Sequence, residues 1–311
     1  MDIKDNITEA IGNTPIVRVD QEETTGNLAV KLEYMNPGGS MKDRIGIGML
    51  EKAEEAGELE DIHTIVEPTS GNTGIAIALA ALTKGYEAVL TVSESKSDVK
   101  KNMMKAFGAE VIECPSVPHD HPESYHSKAE ELAQKEGYYR FNQYESKRNP
   151  EVHYETTGKE IIEQTNGEIT HFVMAMGTGG TISGVSKRLK EHDPSIKVYG
   201  VDAVSSNITD LFYEKEDWEP EKNTEIEGIG RTYKPGATSF ENIDEVIEIE
   251  DEEAFESARK LASQNGVFAG ISAGAVHSAM RKLDAEIEDE DALIVGIMCD
   301  SGNRYMEDLY S

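Results

Sequence analysis

Positive charge is scarce in this sequence beside negative charge. Thirty Lys and Arg stand against sixty Asp and Glu over 311 residues, a net charge of −30. That shortage excludes nucleic acid as a natural partner, because a phosphate backbone would be repelled. Cysteine is nearly absent: Cys114 and Cys299 form no disulfide framework, and a reducing cytoplasm is the expected compartment. No apolar run reaches the ~18 residues that span a bilayer, so no membrane partner is expected. The start, Met1-Asp2-Ile3-Lys4-Asp5, lacks the basic stretch and apolar segment of a secretory signal. No internal repeat or low-complexity linker interrupts the chain.

The acids are dispersed through segments such as 51–60, 214–227 and 248–253 and form no single tail. Apolar periodicity runs through the whole chain, which argues for folding over disorder. A salt-rich cytoplasm, which screens self-repulsion, accounts for a uniformly acidic folded surface. Lysine still outnumbers arginine, so the expected salt adaptation is moderate.

Short apolar runs alternate with amphipathic stretches. Residues 64–67, 88–92, 110–112, 171–176, 197–201 and 292–298 read as strands. Residues 74–84, 97–107, 125–136, 181–192, 254–265 and 275–283 read as helices. This βα alternation predicts an α/β protein with mostly parallel sheets covered by helices on both faces, and ligands at the carboxyl ends of strands. The chain is long enough for two lobes, with a boundary expected in 143–150.

Three glycine-bearing elements carry chemistry. The first is Asn36-Pro37-Gly38-Gly39-Ser40-Met41-Lys42-Asp43-Arg44. Two glycines let the backbone approach a ligand, Pro37 holds a turn, and Ser40 can cap a helix starting near Met41. Lys42 then sits on the first turn of a largely apolar helix. Burial disfavours its ammonium form, and a neutral lysine can form a Schiff base. A surface lysine paired with Asp43 would use the same residues.

The second element, Glu67-Pro68-Thr69-Ser70-Gly71-Asn72-Thr73-Gly74, links a strand to a helix of small residues. Hydroxyls and N–H groups at a helix N-terminus make an anion site suited to a carboxylate or a phosphate. The third, Gly177-Thr178-Gly179-Gly180-Thr181, is a phosphate cup by the same logic. It departs from the dinucleotide fingerprint, because Ile182 occupies the third glycine position. Asp202 nevertheless ends the next predicted strand, where a ribose-binding acid would stand, so a nicotinamide enzyme remains an alternative on local signal. That alternative leaves Lys42 and residues 69–74 unexplained.

A buried lysine, a phosphate cup and a carboxylate site together describe pyridoxal phosphate (PLP) chemistry on an amino acid. The chain resembles the cysteine synthase and cystathionine β-synthase family of PLP enzymes, with its tryptophan-synthase-β-like fold. The resemblance rests on residues 11–15, 31–40, 68–74, 142–144, 149–150, 177–181, 228–230, 269–274 and 300–305, in order and nearly end to end. It implies a two-lobed, three-layer αβα, fold-type II enzyme. Residues 1–40 plus 146–311 would form the larger, PLP-anchoring lobe, and 41–145 a smaller mobile one. Lys42 resembles the catalytic Schiff-base lysine, and Asn72 the asparagine on the cofactor's ring oxygen. Gly177, Thr178, Gly179, Gly180 and Thr181 resemble the phosphate cup, and Ser272 the serine facing the pyridine nitrogen. Thr69, Ser70, Thr73 and Gln143 resemble the binders of the substrate carboxylate, and Gly228 lies in the segment that closes over substrate. A homodimer is implied.

A hydroxyl at the pyridine nitrogen, where other PLP enzymes use Asp, makes a weaker electron sink and favours β-replacement over transamination. Ser272 also suits a helix N-cap. Three features depart from the family pattern. Cys114, His119, Asp120, His121 and His126 cluster where relatives have an ordinary loop, but their spacing matches no standard metal site, and no metal is expected. Arg231 puts a cation near the expected substrate mouth. The length leaves no room for an appended regulatory module. The expected activity is L-cysteine formation from an activated serine (O-acetylserine or O-phosphoserine) and sulfide, with serine plus homocysteine as the alternative.

Overall fold

The computed structural model describes residues 3–20, 24–69, 71–96, 98–215 and 224–310, in two compact units. Ten strands are described: β1 Ile16–Val19, β2 Asn27–Leu32, β3 Thr64–Pro68, β4 Glu87–Ser93, β5 Glu110–Cys114, β6 Tyr138–Arg140, β7 His171–Ala175, β8 Lys197–Ala203, β9 Glu245–Ile249 and β10 Leu293–Met298. The smaller unit comprises residues 1–11 and 36–148, the larger 12–35 and 149–311. The chain passes between the units at 11/12, 35/36 and 148/149, whereas the expected division lay at 40/41 and 145/146. Residues 1–11 group with the smaller unit because the short turn Ile7–Ala10 packs on the helix Asn72–Lys84. The turn at 36–40 joins the same unit as the helix it precedes, since Gly38 N–H donates to Asp43 Oδ2.

The smaller unit holds a four-stranded, wholly parallel sheet in the order β5-β4-β3-β6. After β3 the chain moves outward through β4 and β5, then returns to place β6 on the other side of β3. The order therefore reverses between β3 and β6, where α/β sheets bind ligands beyond their strand ends. The segments leaving those two strands carry Thr69–Thr73 and Gln143. Under the sheet, Val66 and Val89 pack with Ala129 and Leu132 of the helix Tyr125–Ala133.

The larger unit holds six strands in the order β1-β2-β10-β7-β8-β9. Only the edge pair β1/β2 is antiparallel, with Val17 opposite Val30. The central strands read as near-continuous apolar runs, as strands covered on both faces must. Ile294 to Met298 of β10 are all buried, and β10 lies parallel to β2 and β7. The helix Ile271–Glu286 packs on β10 and on the helix Asp251–Asn265. Its chain order reverses between β7 and β10, and the turn after β7 is Gly177–Gly180.

The mostly parallel α/β architecture matches the expectation. The helix expected over 275–283 begins earlier, at Ile271, which puts Ser272 in its first turn. The helix expected from 97 is described from Asp98. Among the described residues, no helix is long and apolar enough to cross a membrane.

Candidate functional site

In the smaller unit, Lys42 is the first residue of the helix Lys42–Glu55 and is partly buried. Gly39 takes φ +80° in the turn that leads into it. The Ser40 hydroxyl accepts the Lys42 N–H at 3.2 Å, so it does help to start the helix, although Met41 occupies the N-cap position. Asp43 turns inward: it is 1% exposed, and its Oδ2 accepts the Gly38 N–H at 2.5 Å. Its carboxylate ties the glycine turn to the helix, a role that the surface-pair alternative does not foresee.

The second element forms the start of the helix Asn72–Lys84, with Gly71 as N-cap. Thr69 is buried, and its N–H donates to the Thr91 carbonyl of the next strand. Thr73 Oγ1 donates to Gln143 Oε1 at 2.6 Å, so the structure brings together two of the expected carboxylate binders. Asn72 stands on the same first turn. Ser70 lies outside the described residues.

Beneath them is a group that sequence reading missed. Glu67, on β3, is 1% exposed and pairs with Arg140 on β6. It also accepts the N–H groups of Asn142 at 2.8 Å and Gln143 at 3.2 Å. Burial pushes its carboxyl pKa up, and Arg140 with the two N–H groups pulls it back. The available signal was a single acid in the otherwise apolar strand Thr64–Pro68.

In the larger unit, the Gly177–Thr181 turn runs into the 13-residue helix Gly180–His192. A helix start leaves its first N–H groups without intrahelical partners and carries the positive end of the helix dipole. Bare backbone is obligatory at two places. A methyl on Gly177 would stand 2.2 Å from the Gly228 carbonyl oxygen, and one on Gly179, at φ +76°, would stand 1.9 Å from Thr238 Oγ1. The Thr178 hydroxyl accepts from Asn149 Nδ2 at 3.3 Å and from Gly180 N–H at 3.4 Å. The Thr181 hydroxyl meets Nε2 of the buried His153 at 3.1 Å, and Thr157 holds the other ring nitrogen at 2.9 Å. Asn149, which the sequence marks only as part of the family resemblance, and His153, which it does not mark, are both carried by the helix Arg148–Glu155. A pocket of backbone N–H groups and two hydroxyls, with no carboxylate in the turn itself, fits a phosphate.

Gly228, at φ +99°, leans on this turn through the carbonyl just described. Beyond it, the Arg231 backbone is pinned by Ser206, whose hydroxyl accepts the Arg231 N–H at 3.0 Å and donates to its carbonyl at 3.2 Å. Ser272 is buried in the first turn of Ile271–Glu286, where Gly270 is the N-cap. The entry to this helix is fixed by the Gly270 N–H on the Asp300 carbonyl at 3.0 Å and by Tyr305 OH on Asp300 Oδ2 at 2.6 Å. Burial, followed by the charge of Asp300, pushes the Tyr305 pKa well above its usual value.

Asp202, which the nicotinamide alternative needs for a ribose, is fully buried. Its Oδ2 accepts the N–H and hydroxyl of Thr209, at 3.0 and 3.1 Å, at the start of the helix Ile208–Phe212. Burial raises its pKa to about 6. The carboxylate thus holds a helix. The His119 and His126 rings lie 4.0 Å apart, tilted by 37°. Among the described residues, no group of three or more His, Cys, Asp or Glu is placed to hold a metal ion.

Two mostly parallel α/β units with glycine-bearing turns leaving their strand ends give the architecture of an α/β enzyme. The family model for pyridoxal-phosphate dependent enzymes matches residues 7–300. The cysteine synthase of Staphylococcus aureus (strain Mu50) is 39% identical over 99% of this chain and 97% of its own. A solved hydrogen sulfide-producing enzyme from Fusobacterium nucleatum superposes with TM-score 0.89 at 34% identity, covering 98% of this chain and 99% of that one. A solved O-ureido-L-serine synthase gives TM-score 0.88 at 32% identity, covering 98% and 94%. The chain belongs to the pyridoxal-phosphate dependent enzyme family, in its fold-type II architecture.

Proposed function

We propose that this protein binds PLP and catalyses β-replacement, making L-cysteine from an activated serine and sulfide. When bound, PLP supplies the electron-withdrawing ring that lets the α-hydrogen of an amino acid leave as a proton and its β-substituent leave with its electron pair. The chain's own residues do the rest. The N–H groups of 177–181 and the hydroxyls of Thr178 and Thr181 hold the phosphate. Asn72 would meet the cofactor's ring oxygen. The Lys42 amine anchors the cofactor and moves the proton at the substrate α-carbon. Thr69, Ser70, Thr73 and Gln143 hold the substrate carboxylate, and the Gly228 segment closes over it. Ser272 would offer the pyridine nitrogen a hydroxyl, which would leave the ring a weaker sink and favour loss of the β-substituent.

The observation that carries this reading is the cup itself: a bare-backbone turn at the head of a long helix, with Gly228 against it and a buried serine at the head of a second helix of the same unit. The names of the relatives support a serine-derived substrate with a small nucleophile. We read the enzyme as a cytoplasmic homodimer with moderate salt adaptation.

The deciding experiment offers the PLP-loaded protein O-acetylserine, O-phosphoserine and serine, each with sulfide and with homocysteine. L-Cysteine from an activated serine is expected. Cystathionine as the main product, or no β-replacement with any pair, would overturn the assignment.

A further inference from the structure

We propose that Glu67 and Arg140 are positioning residues for the substrate carboxylate: a buried charge pair that sets the Gln143 amide in its binding orientation. The proposal rests on the reading of Gln143 as a carboxylate binder.

The geometry is a chain of hydrogen bonds with one direction. Arg140 pairs with Glu67 Oε2, and its Nε reaches the exposed Glu130 at 3.2 Å. Asn142 takes φ +58°, and this left-handed residue aims two successive N–H groups at one carboxylate: Asn142 to Oε2 at 2.8 Å and Gln143 to Oε1 at 3.2 Å. The Gln143 side chain also donates to the Glu67 carboxylate. At its other end, Gln143 Oε1 accepts the Thr73 hydroxyl at 2.6 Å. An amide that donates to a carboxylate and accepts from a hydroxyl has a single orientation, with oxygen toward Thr73 and NH₂ toward Glu67. Glu67 therefore fixes both the backbone and the flip state of Gln143. Burial pushes the Glu67 carboxyl pKa up, and the Arg140 guanidinium paired with it opposes that rise.

A strand end that needed only packing would carry an aliphatic residue here. A buried carboxylate spent on two N–H groups of the β6 exit loop is justified by the position of that loop. Because both partners lie on neighbouring strands β3 and β6, the switch point of the sheet carries its own brace.

The test uses PLP-loaded Glu67→Gln and Glu67→Asp. The first keeps the shape but presents an NH₂ group to donors. The second keeps the charge but falls one CH₂ short of Gln143. Calorimetry with L-alanine, which has the carboxylate but no leaving group, is expected to show binding weakened about ten- to a hundredfold in both, the worth of a lost charge-assisted hydrogen bond. Ethylamine, which lacks the carboxylate, is expected to bind as it does to the parent. In turnover, KM for O-acetylserine should rise by about tenfold while kcat and KM for sulfide stay within about threefold. An unchanged L-alanine affinity in both variants, or an equal loss for L-alanine and ethylamine, would overturn the proposal. The binding comparison does not depend on which product the enzyme makes, so it stands or falls separately from the assignment of cysteine synthesis.

Discussion

Replacing Gly177 by alanine tests the cup and its closing segment together. The added methyl would stand 2.2 Å from the Gly228 carbonyl oxygen, against the 3.4 Å where ordinary contact begins. One backbone must therefore retreat by about 1.2 Å, the difference of the two distances. No side chain can yield instead, because the opposing atom is main chain. Overpacking of this kind costs about 1–3 kcal/mol. Gly177 is followed by Thr178, whose hydroxyl and carbonyl are held by Asn149 and Thr238, so the turn resists and the strain passes to the 226–230 segment or to the N–H groups of the cup. If the cost falls on cofactor binding, PLP affinity drops about 5- to 150-fold. The assay is PLP titration of the apo-protein by absorbance, alongside thermal melts with and without cofactor. We expect weaker PLP binding and a holo-protein melting temperature several degrees lower, with a smaller change in the apo-protein. Equal PLP affinity and equal melting in parent and variant would refute both the tight packing of Gly228 on the cup and the cup's assignment to phosphate.

Lys42→Ala is expected to abolish turnover while the protein stays folded and retains PLP non-covalently, since the cup supplies most of the binding; absorbance and activity after reconstitution decide, and undiminished β-replacement would remove Lys42 from catalysis. Burial raises Asp202 from 3.8 to about 6, so the folded state binds a proton that the unfolded state has already released, and stability falls as pH rises from 4 to 6. Asp202→Asn should lack that loss: the variant's melting temperature relative to the parent should climb across pH 4–6 and level off above it, and a flat or falling difference would contradict the argument. Sixty acids with thirty Lys and Arg leave at least thirty carboxylates that cannot find a Lys or Arg each. Stability and activity should therefore rise with KCl toward molar concentrations, where the Debye length is ~3 Å; melting that is indifferent to salt, or lowered by it, would count against a salt-adapted surface.

Legibility followed period and punctuation. β3, β4, β7, β8 and β10 are apolar runs bounded by glycine, proline or charge, and all were readable. β9 was not: Glu245-Val246-Ile247-Glu248-Ile249 pairs with β8 only, at the sheet edge, and three of its five residues are not buried, so its acids masked its strand character. β6 has three residues and no fully buried one, and it exists because β3 offers it a ladder. The helices Arg148–Glu155 and Thr157–Gln164 are separated by one residue and carry Pro150 in the first turn of the first, where proline is tolerated. Nothing local in that pattern marks Asn149 or His153 as a partner of the cup.

The site divides along the same line. The residues proposed to meet a ligand through backbone or short polar side chains sit in glycine-rich turns, and such turns announce themselves. Residues that hold those turns do so from sequence distances that no local pattern carries. Glu67 reaches Gln143 over 76 positions, Thr178 receives Asn149 over 29, and Thr238 donates to the Thr178 carbonyl over 60. Each is a single polar residue in an otherwise apolar or irregular stretch, and each acquires its meaning from the topology. A buried acid on a parallel strand, two residues before a turn with an anion-binding look, should therefore be read first as the brace of a neighbouring strand's exit. For this chain that rule would have found Glu67, and the prior question for any such acid is which N–H groups of the adjoining strand it holds.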